Sequence, residues 1–367
     1  MIKRLFPSTI TRYLARLYVW SFLQLLAIIL AIVYLFETVE LLRRAAKLEN
    51  VPFTLVMQMG LLKLPEVGQI ILPFAVLFGA LYTFWSLVRK QELVIVRSAG
   101  LSVWQFLAPV VGVAIMVGVI HMTVINPIGA MLITRYHAME MLYLESKDNT
   151  VSVGEQGLWL RQKTETGGVI LHADKVKMPD WELSGVTVFY FSKEGAFEKR
   201  LDANTAYLEE GAWRFKSAVI NGAGPIPVKK PMETLPTNLT INEIEESFST
   251  AEQTPFWVLP GYIKTMEATG FDSRKLRIHF QSLLAQPLLL AAMVILAATV
   301  SLRGSRSQAT GFLIAAGVTI GFLVFFATSF LKALGASDQI PVALAAWFPP
   351  LIAMTLGISV ILTTEDR

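Results

Sequence analysis

Six stretches of this chain carry no Asp, Glu, Lys or Arg: residues 17–36, 67–88, 98–134, 278–302, 307–331 and 339–364. A helix needs about 20 apolar residues to cross the hydrocarbon core of a bilayer. Core helices of soluble folds rarely run so long without a charge, and six in one chain leave that reading almost no weight. The charged fraction is 16% of 367 residues, against roughly 25% in soluble domains. The expectation is an α-helical membrane protein with six transmembrane helices.

Residues 147–247 have a different character. Short β-rich runs recur at 157–161, 169–172, 186–191, 205–208, 213–215 and 219–220. Turn residues such as Gly167-Gly168, Glu210-Gly211 and Gly222-Ala223-Gly224-Pro225 separate them. Regular short strands with Gly/Pro turns predict an all-β sandwich, jellyroll or open barrel. No catalytic-triad spacing or calcium loop occurs in it, so it reads as a docking module. The expected domains are 1–134 (spans one to three), 135–253 (the β insert) and 254–367 (a short linking helix and spans four to six).

Lys3, Arg4, Arg12 and Arg16, with no acid among them, precede the first span. They put the N-terminus in the cytoplasm. No small-residue cleavage pattern follows the span, so it is expected to be retained. An even number of spans returns the C-terminus to the same side and leaves the β insert outside. Arg89, Lys90, Arg97, Arg303 and Arg306 on the inner loops agree with the rule. Two basic triplets on the outer face run against it: Arg43, Arg44 and Lys47 after span one, and Arg274, Lys275 and Arg277 before span four. Two accounts stand. The side chains snorkel to lipid phosphates, or guanidinium forks bind a phosphorylated lipid. Lys63 and Glu66, three apart near the head of span two, share a helix face and can pair. They face a cavity or neutralise each other near the interface. His121 within span three reads as a hydrogen-bonded packing residue.

Between spans two and three lies SLVRKQELVIVRSAG, residues 86–100. Arg89, Lys90, Glu92 and Arg97 sit there among apolar residues. Gly100 ends the element, and Ser102 with Gln105 forms a capping box for the next helix. The stretch is a short helix at the membrane surface or an ordinary inner loop. In span five, Gly317-x-x-x-Gly321 is a close-packing pattern.

An enzyme has little to stand on. There is no Gly-x-x-x-x-Gly-Lys-[Ser/Thr], His-Glu-x-x-His or Gly-x-Ser-x-Gly. Without cysteine there is no disulfide or thiolate metal site, and no cofactor is expected. The net charge of +4 is modest and no basic patch is interleaved with aromatics, so no nucleic-acid partner is expected. Powered transport would need an ion gradient or a partner ATPase.

Several motifs are more specific: Pro65-Glu66-Val-Gly-Gln69-Ile-Ile-Leu72-Pro73, Gln91-Glu92-Leu93-Val94, Ser98-Ala-Gly100, Gln156-Gly157-Leu158-Trp159 and Gln286-Pro287-Leu288. With the three-spans, β-insert, three-spans plan, they resemble the LptF/LptG permease family over essentially the whole chain. The Gln-Gly-Leu-Trp run and the short C-terminal end are more like its LptG branch.

The resemblance implies a permease half of the ABC exporter that extracts lipopolysaccharide from the bacterial inner membrane. The expected partners are an LptB-like ATPase dimer, an LptF-like permease, and LptC-like and LptA-like bridge proteins in the periplasm. Residues 86–100 match the family's coupling helix, with Glu92 as its glutamate and Arg89, Lys90, Arg97 and Gly100 around it. The β insert is similar to the family's periplasmic jellyroll. Arg43 and Arg44 match a basic pair near the outer end of span one. Arg135 and His137 lie near other basic family positions. Glu37 and Glu66 depart from the pattern, standing where the family can carry lysine, and Lys63 is a candidate replacement charge. The rival readings are an LptF-like subunit, an ion-coupled secondary transporter using Lys63 and Glu66, which predicts inverted repeats, and a structural or signalling membrane protein.

Overall fold

All but the last of the charge-free windows become helices longer than the windows themselves. The computed structural model describes residues 8–47, 51–93, 98, 102–144, 150–154, 157–164, 167–177, 181–192, 195–209, 211–222, 227–237, 251–268, 271–301 and 310–365. Helix α1 is Ser8–Ala45 and α2 is Phe53–Arg89. Helix α3, Val103–Ile120, continues through a π turn, His121–Ile125, into α4, Asn126–Tyr143. A short α5, Leu259–Ala268, precedes α6, Arg274–Ser301, α7, Thr310–Ala336, and α8, Val342–Glu365. Among the described residues six helical rods are long and apolar enough to cross a membrane, with α3, the π turn and α4 counted as one. At 1.5 Å per residue α1 is about 57 Å long, so it projects beyond the bilayer at one or both ends.

The chain forms two compact units. The first comprises residues 1–140, 255–257 and 277–367, and the second 141–254 and 258–276.

In the first unit one apolar core joins α1 (Leu14, Tyr18, Phe22), α2 (Leu72, Leu77, Phe84), α3 (Phe106, Val110), α6 (Leu290, Val294) and α8 (Ile361). Small residues bring the helices together. A Cβ on Gly79 would lie 3.0 Å from the Cα of Phe22, so α1 and α2 touch backbone to backbone. The Gly317/Gly321 pattern does what its spacing predicts. Side chains there would run into Leu81 and Phe78, and into Phe74 and Leu77, so α7 seats on α2 through both glycines. Apolar residues also point outward on α7, where Phe322, Phe326 and Phe330 stack in a row. A bundle immersed in lipid has no reason to hide them.

The rod α3–α4 continues through Asn126-Pro127. Proline has no N–H, so the carbonyl four residues back, on Thr123, loses its helical partner. The indole N–H of Trp257 donates to that oxygen at 3.2 Å. Next to it the backbone N–H of Phe256 donates to Asn126 Oδ1 at 2.9 Å. The π turn accommodates the break, and the helix resumes. His121, on that turn, is 2% exposed, yet neither ring nitrogen has a hydrogen-bond partner among the described residues. It is a packing residue, as expected, but not a hydrogen-bonded one.

The second unit is built on seven strands: β1 (Thr150–Gly154), β2 (Gly157–Thr164), β3 (Gly167–Lys177), β4 (Glu182–Phe191), β5 (Phe197–Glu209), β6 (Ala212–Asn221) and β7 (Val228–Pro236). They form one antiparallel sheet in chain order. The inserted all-β domain is therefore present, as a meander in which sequence neighbours are sheet neighbours. Register puts Leu160, Leu171, Val188 and Leu201 in one cross-strand row, and all four are buried.

The sheet bends so that β2 meets the end of β7. Gln162 donates to Pro236 O at 3.0 Å and accepts from the Thr237 hydroxyl at 2.9 Å. Gln162→Leu removes both bonds and is expected to cost about 1–2 kcal/mol. Amide hydrogen exchange in β7 is expected to rise selectively. Unchanged exchange there would show that the clasp does not hold the sheet closed.

Two strands, β1 and β7, were not foreseen, and the runs at 213–215 and 219–220 are one strand, β6. Lys229, Lys230 and Pro231 disguise β7. Lysine and proline are what a sheet edge uses to avoid pairing with strangers.

Candidate functional site

Two ends of the helical unit carry most of the sequence-predicted residues, while Arg274 and Lys275 belong to the second unit. At one end α1, α2 and α4 bring charges together. Lys63 on α2 donates to Glu37 Oε2 on α1 at 2.8 Å, with side chains 22% and 23% exposed. Its ammonium also lies 5.8 Å from the ring centroid of Tyr136 on α4. The sequence offered Glu66, on the same helix; the structure also brings Glu37, on the neighbouring helix, to Lys63.

One turn further along α1, Arg43 makes a two-pronged contact with Glu40, at 2.9 Å from Nε and 2.8 Å from Nη2. Arg44 reaches the same carboxylate at 3.3 Å and also Glu140 on α4 at 3.3 Å. Glu140 further accepts from the Tyr136 hydroxyl at 3.0 Å and meets His137 Nδ1 at 3.2 Å. Arg135 is exposed on α4, and Lys47 is exposed just past α1. Arg274, Lys275 and Arg277 open α6, where the Arg274 backbone N–H donates to Asp272 at 2.9 Å.

Within the helical unit, Lys63, Arg43 and Arg44 each hold a carboxylate. Arg43 and Arg44 keep side-chain exposures of 71% and 48%, and such exposed pairs contribute at most about 1 kcal/mol. An incoming phosphate can displace a carboxylate from either fork without a large penalty. The Lys63–Glu37 pair is better buried and joins two helices. Glu37→Ala strands a mostly buried ammonium and is expected to lower stability by about 1–2 kcal/mol, while Glu37→Ala with Lys63→Ala recovers most of it. Thermal denaturation of the purified chain tests this. Equal losses in the single and double variants would mean that the pair contributes nothing to the helix contact.

At the other end α2 finishes at Arg89, whose guanidinium lies 5.1 Å from the Trp85 ring centroid. Residues 86–89 are therefore the last turn of α2, not the start of a separate surface helix. Leu87, 2% exposed, keeps them in the α2 register. The break falls at Lys90 and Gln91, and Gln91 takes a left-handed backbone with φ 61°. Glu92 and Leu93 are helical again, and so is Ser98. Arg97 and Gly100 lie outside the described residues. Helix α3 then starts at Ser102 with both bonds of the capping box in place.

The Glu92 carboxylate accepts from the Tyr13 hydroxyl of α1 at 2.8 Å. Sequence reading missed Tyr13, Glu40, Tyr136 and the Glu37–Lys63 match. Only Glu40 was readable, from its i+3 and i+4 spacing to Arg43 and Arg44. Among the described residues no three His, Asp or Glu side chains gather as metal ligands would.

Six apolar rods and an antiparallel sheet inserted between the third and fourth define a multi-pass helical membrane protein with an inserted β domain. A family profile described as "Lipopolysaccharide export system permease LptF/LptG" matches residues 12–363. The chain belongs to that family. It is 27% identical over 307 residues to the lipopolysaccharide export system permease protein LptG of Escherichia coli K12, covering 81% of this chain and 80% of that one. It is 24% identical over 361 residues to LptG of Haemophilus influenzae, covering 95% and 97%.

Proposed function

We propose that this chain is the LptG-type permease subunit of an ABC exporter that lifts lipopolysaccharide out of the outer leaflet of the inner membrane. The observation that carries the reading is the likeness to LptG permeases over nearly the full chain, bundle and β insert together. An LptF-like chain completes the transmembrane part, and together the two enclose a cavity that lipid enters sideways. Acyl chains lie against apolar helices, and phosphates meet the cations at the Arg43 end. The chain carries no phosphate-binding loop of its own, so an LptB-like ATPase dimer supplies the energy.

ATP binding closes that dimer, and the segment after α2, with Glu92 paired to a basic residue of the ATPase, relays the closure. The cavity collapses and the lipid moves towards the β domain. Edge-strand pairing then passes it to LptC-like and LptA-like bridge proteins. Both termini lie in the cytoplasm and the β domain in the periplasm. What drives transport is the difference in lipid affinity between the open and collapsed cavities.

Co-purification tests the assembly. The tagged chain, extracted gently from its native membrane, should bring down an ABC ATPase and an LptF-like permease in fixed ratio. A folded chain that purifies alone would sink the reading.

A further inference from the structure

Glu92 is held by a residue that sequence reading did not single out. Tyr13, in the second turn of α1, donates its hydroxyl to Glu92 Oε2 at 2.8 Å across 79 residues of chain. No other hydrogen bond to Glu92 occurs among the described residues.

Tyr13 itself is well placed. Its neighbours Leu14, Tyr18 and Phe22 are 1%, 0% and 4% exposed, and they form the ridge that α1 buries against the bundle. Phe22 meets α2 at Gly79, backbone against backbone. The first turns of α1 therefore cannot drift relative to the last turns of α2. From this fixed base the phenol reaches across the break at Lys90 and Gln91. Glu92 is oriented from two directions, by the left-handed Gln91 behind it and by the Tyr13 hydroxyl at its carboxylate.

The chemistry of the donor matters. A tyrosine hydroxyl is neutral, so it fixes one carboxylate oxygen without cancelling the charge. Oε1 stays available to accept from a cation, and the full negative charge remains to attract it. A lysine has nearly the same reach, but at position 13 it would satisfy the charge internally. Helix α1 also continues for about 36 Å beyond Tyr13 to Glu37, where it carries Glu37, Glu40, Arg43 and Arg44 in the charged cluster.

We infer that Tyr13 is the positioning residue of the coupling contact: it aims the free oxygen of Glu92 at the cation of the partner ATPase and ties that contact to α1. The inference rests on the reading of Glu92 as the coupling residue. Displacement of Glu92 by the ATPase pulls on Tyr13, and the rigid α1 carries the pull to the charges at its far end.

The test uses the complete complex in lipid nanodiscs containing lipopolysaccharide. Tyr13→Phe, Tyr13→Lys, Glu92→Gln and the Tyr13→Phe/Glu92→Gln double variant are compared for assembly, for KM for ATP, and for lipopolysaccharide-stimulated kcat. Tyr13→Phe is expected to assemble normally and keep the KM while kcat falls about five- to ten-fold. Tyr13→Lys is expected to lose more. The double variant should be no worse than Glu92→Gln, since Tyr13 acts through Glu92.

Wild-type kcat in Tyr13→Phe, or losses that multiply in the double variant, would overturn the inference. So would failure of Tyr13→Phe to assemble, because the ring remains and is 46% exposed, leaving the hydroxyl no packing role. If Glu92→Gln alone matches wild type, the coupling reading beneath falls. If Glu92→Gln is impaired and Tyr13→Phe is not, only the role of Tyr13 falls.

Discussion

Glu92→Arg is expected to leave the chain folded in the membrane while abolishing ATP-driven lipopolysaccharide release and loosening the ATPase. The fold survives because, among the described residues, Glu92 makes one hydrogen bond within the chain, from the Tyr13 hydroxyl, and that oxygen can accept from an arginine instead. Surface changes of this kind usually fall within about 0.5 kcal/mol. The partner interface does not survive. Reversing the charge removes an attraction and adds a repulsion against the basic residue proposed to face it. Close interfacial charge pairs couple by about 1.5–7 kcal/mol. A loss of about 3 kcal/mol weakens binding on the order of a hundred-fold. Retention of ATPase on the purified chain reads the first effect, and lipid release per ATP reads the second. Undiminished retention and release would remove the segment after α2 from the coupling path.

What sequence alone could reach follows from what each signal depends on. Six charge-free windows needed only composition, because the bilayer sets their length. The capping box at Ser102 and Gln105 and the glycine pair at 317 and 321 were legible because their geometry is local, within one helical turn. The strands of the β insert were legible where one face is dry, as in the Leu160–Leu171–Val188–Leu201 row. They were hidden where polar residues fill an edge, as in β7.

The charged contacts were less legible. Lys63 and Glu66 suggested each other because they are three apart, whereas Glu37, which also pairs with Lys63, lies on α1, and only helix packing brings it near. Tyr13 and Glu92 are likewise distant in sequence, and no spacing rule connects them. The expected surface helix at 86–100 ran its boundary one turn too early, since the apolar residues at 87 and 88 fit α2 as well as a separate element. Nor could sequence foresee that a tryptophan and an asparagine repair the helix around Pro127.

Gly118 makes the sharpest packing prediction, since here the bundle has no slack. A Cβ on Gly118 of α3 would lie 2.6 Å from the Cα of Pro287 on α6, and 3.0 Å from its nitrogen. These are backbone atoms in a helix, held by a ring that cannot rotate away, so a methyl group can fit only if α3 and α6 separate. Gly118→Ala is expected to cost about 1–3 kcal/mol by overpacking, and Gly118→Leu to prevent accumulation of folded chain. The same helix supplies the control. A Cβ on Gly112 meets nothing within 4 Å, so Gly112→Ala should be neutral or stabilising by up to about 1 kcal/mol through helix propensity. The thermal midpoint of the purified protein separates the two positions. Equal tolerance at 118 and 112 would mean that α3 and α6 do not meet at Pro287. The π turn just beyond Gly118 would then lose the fixed support from which α4 carries Glu140 to Arg44.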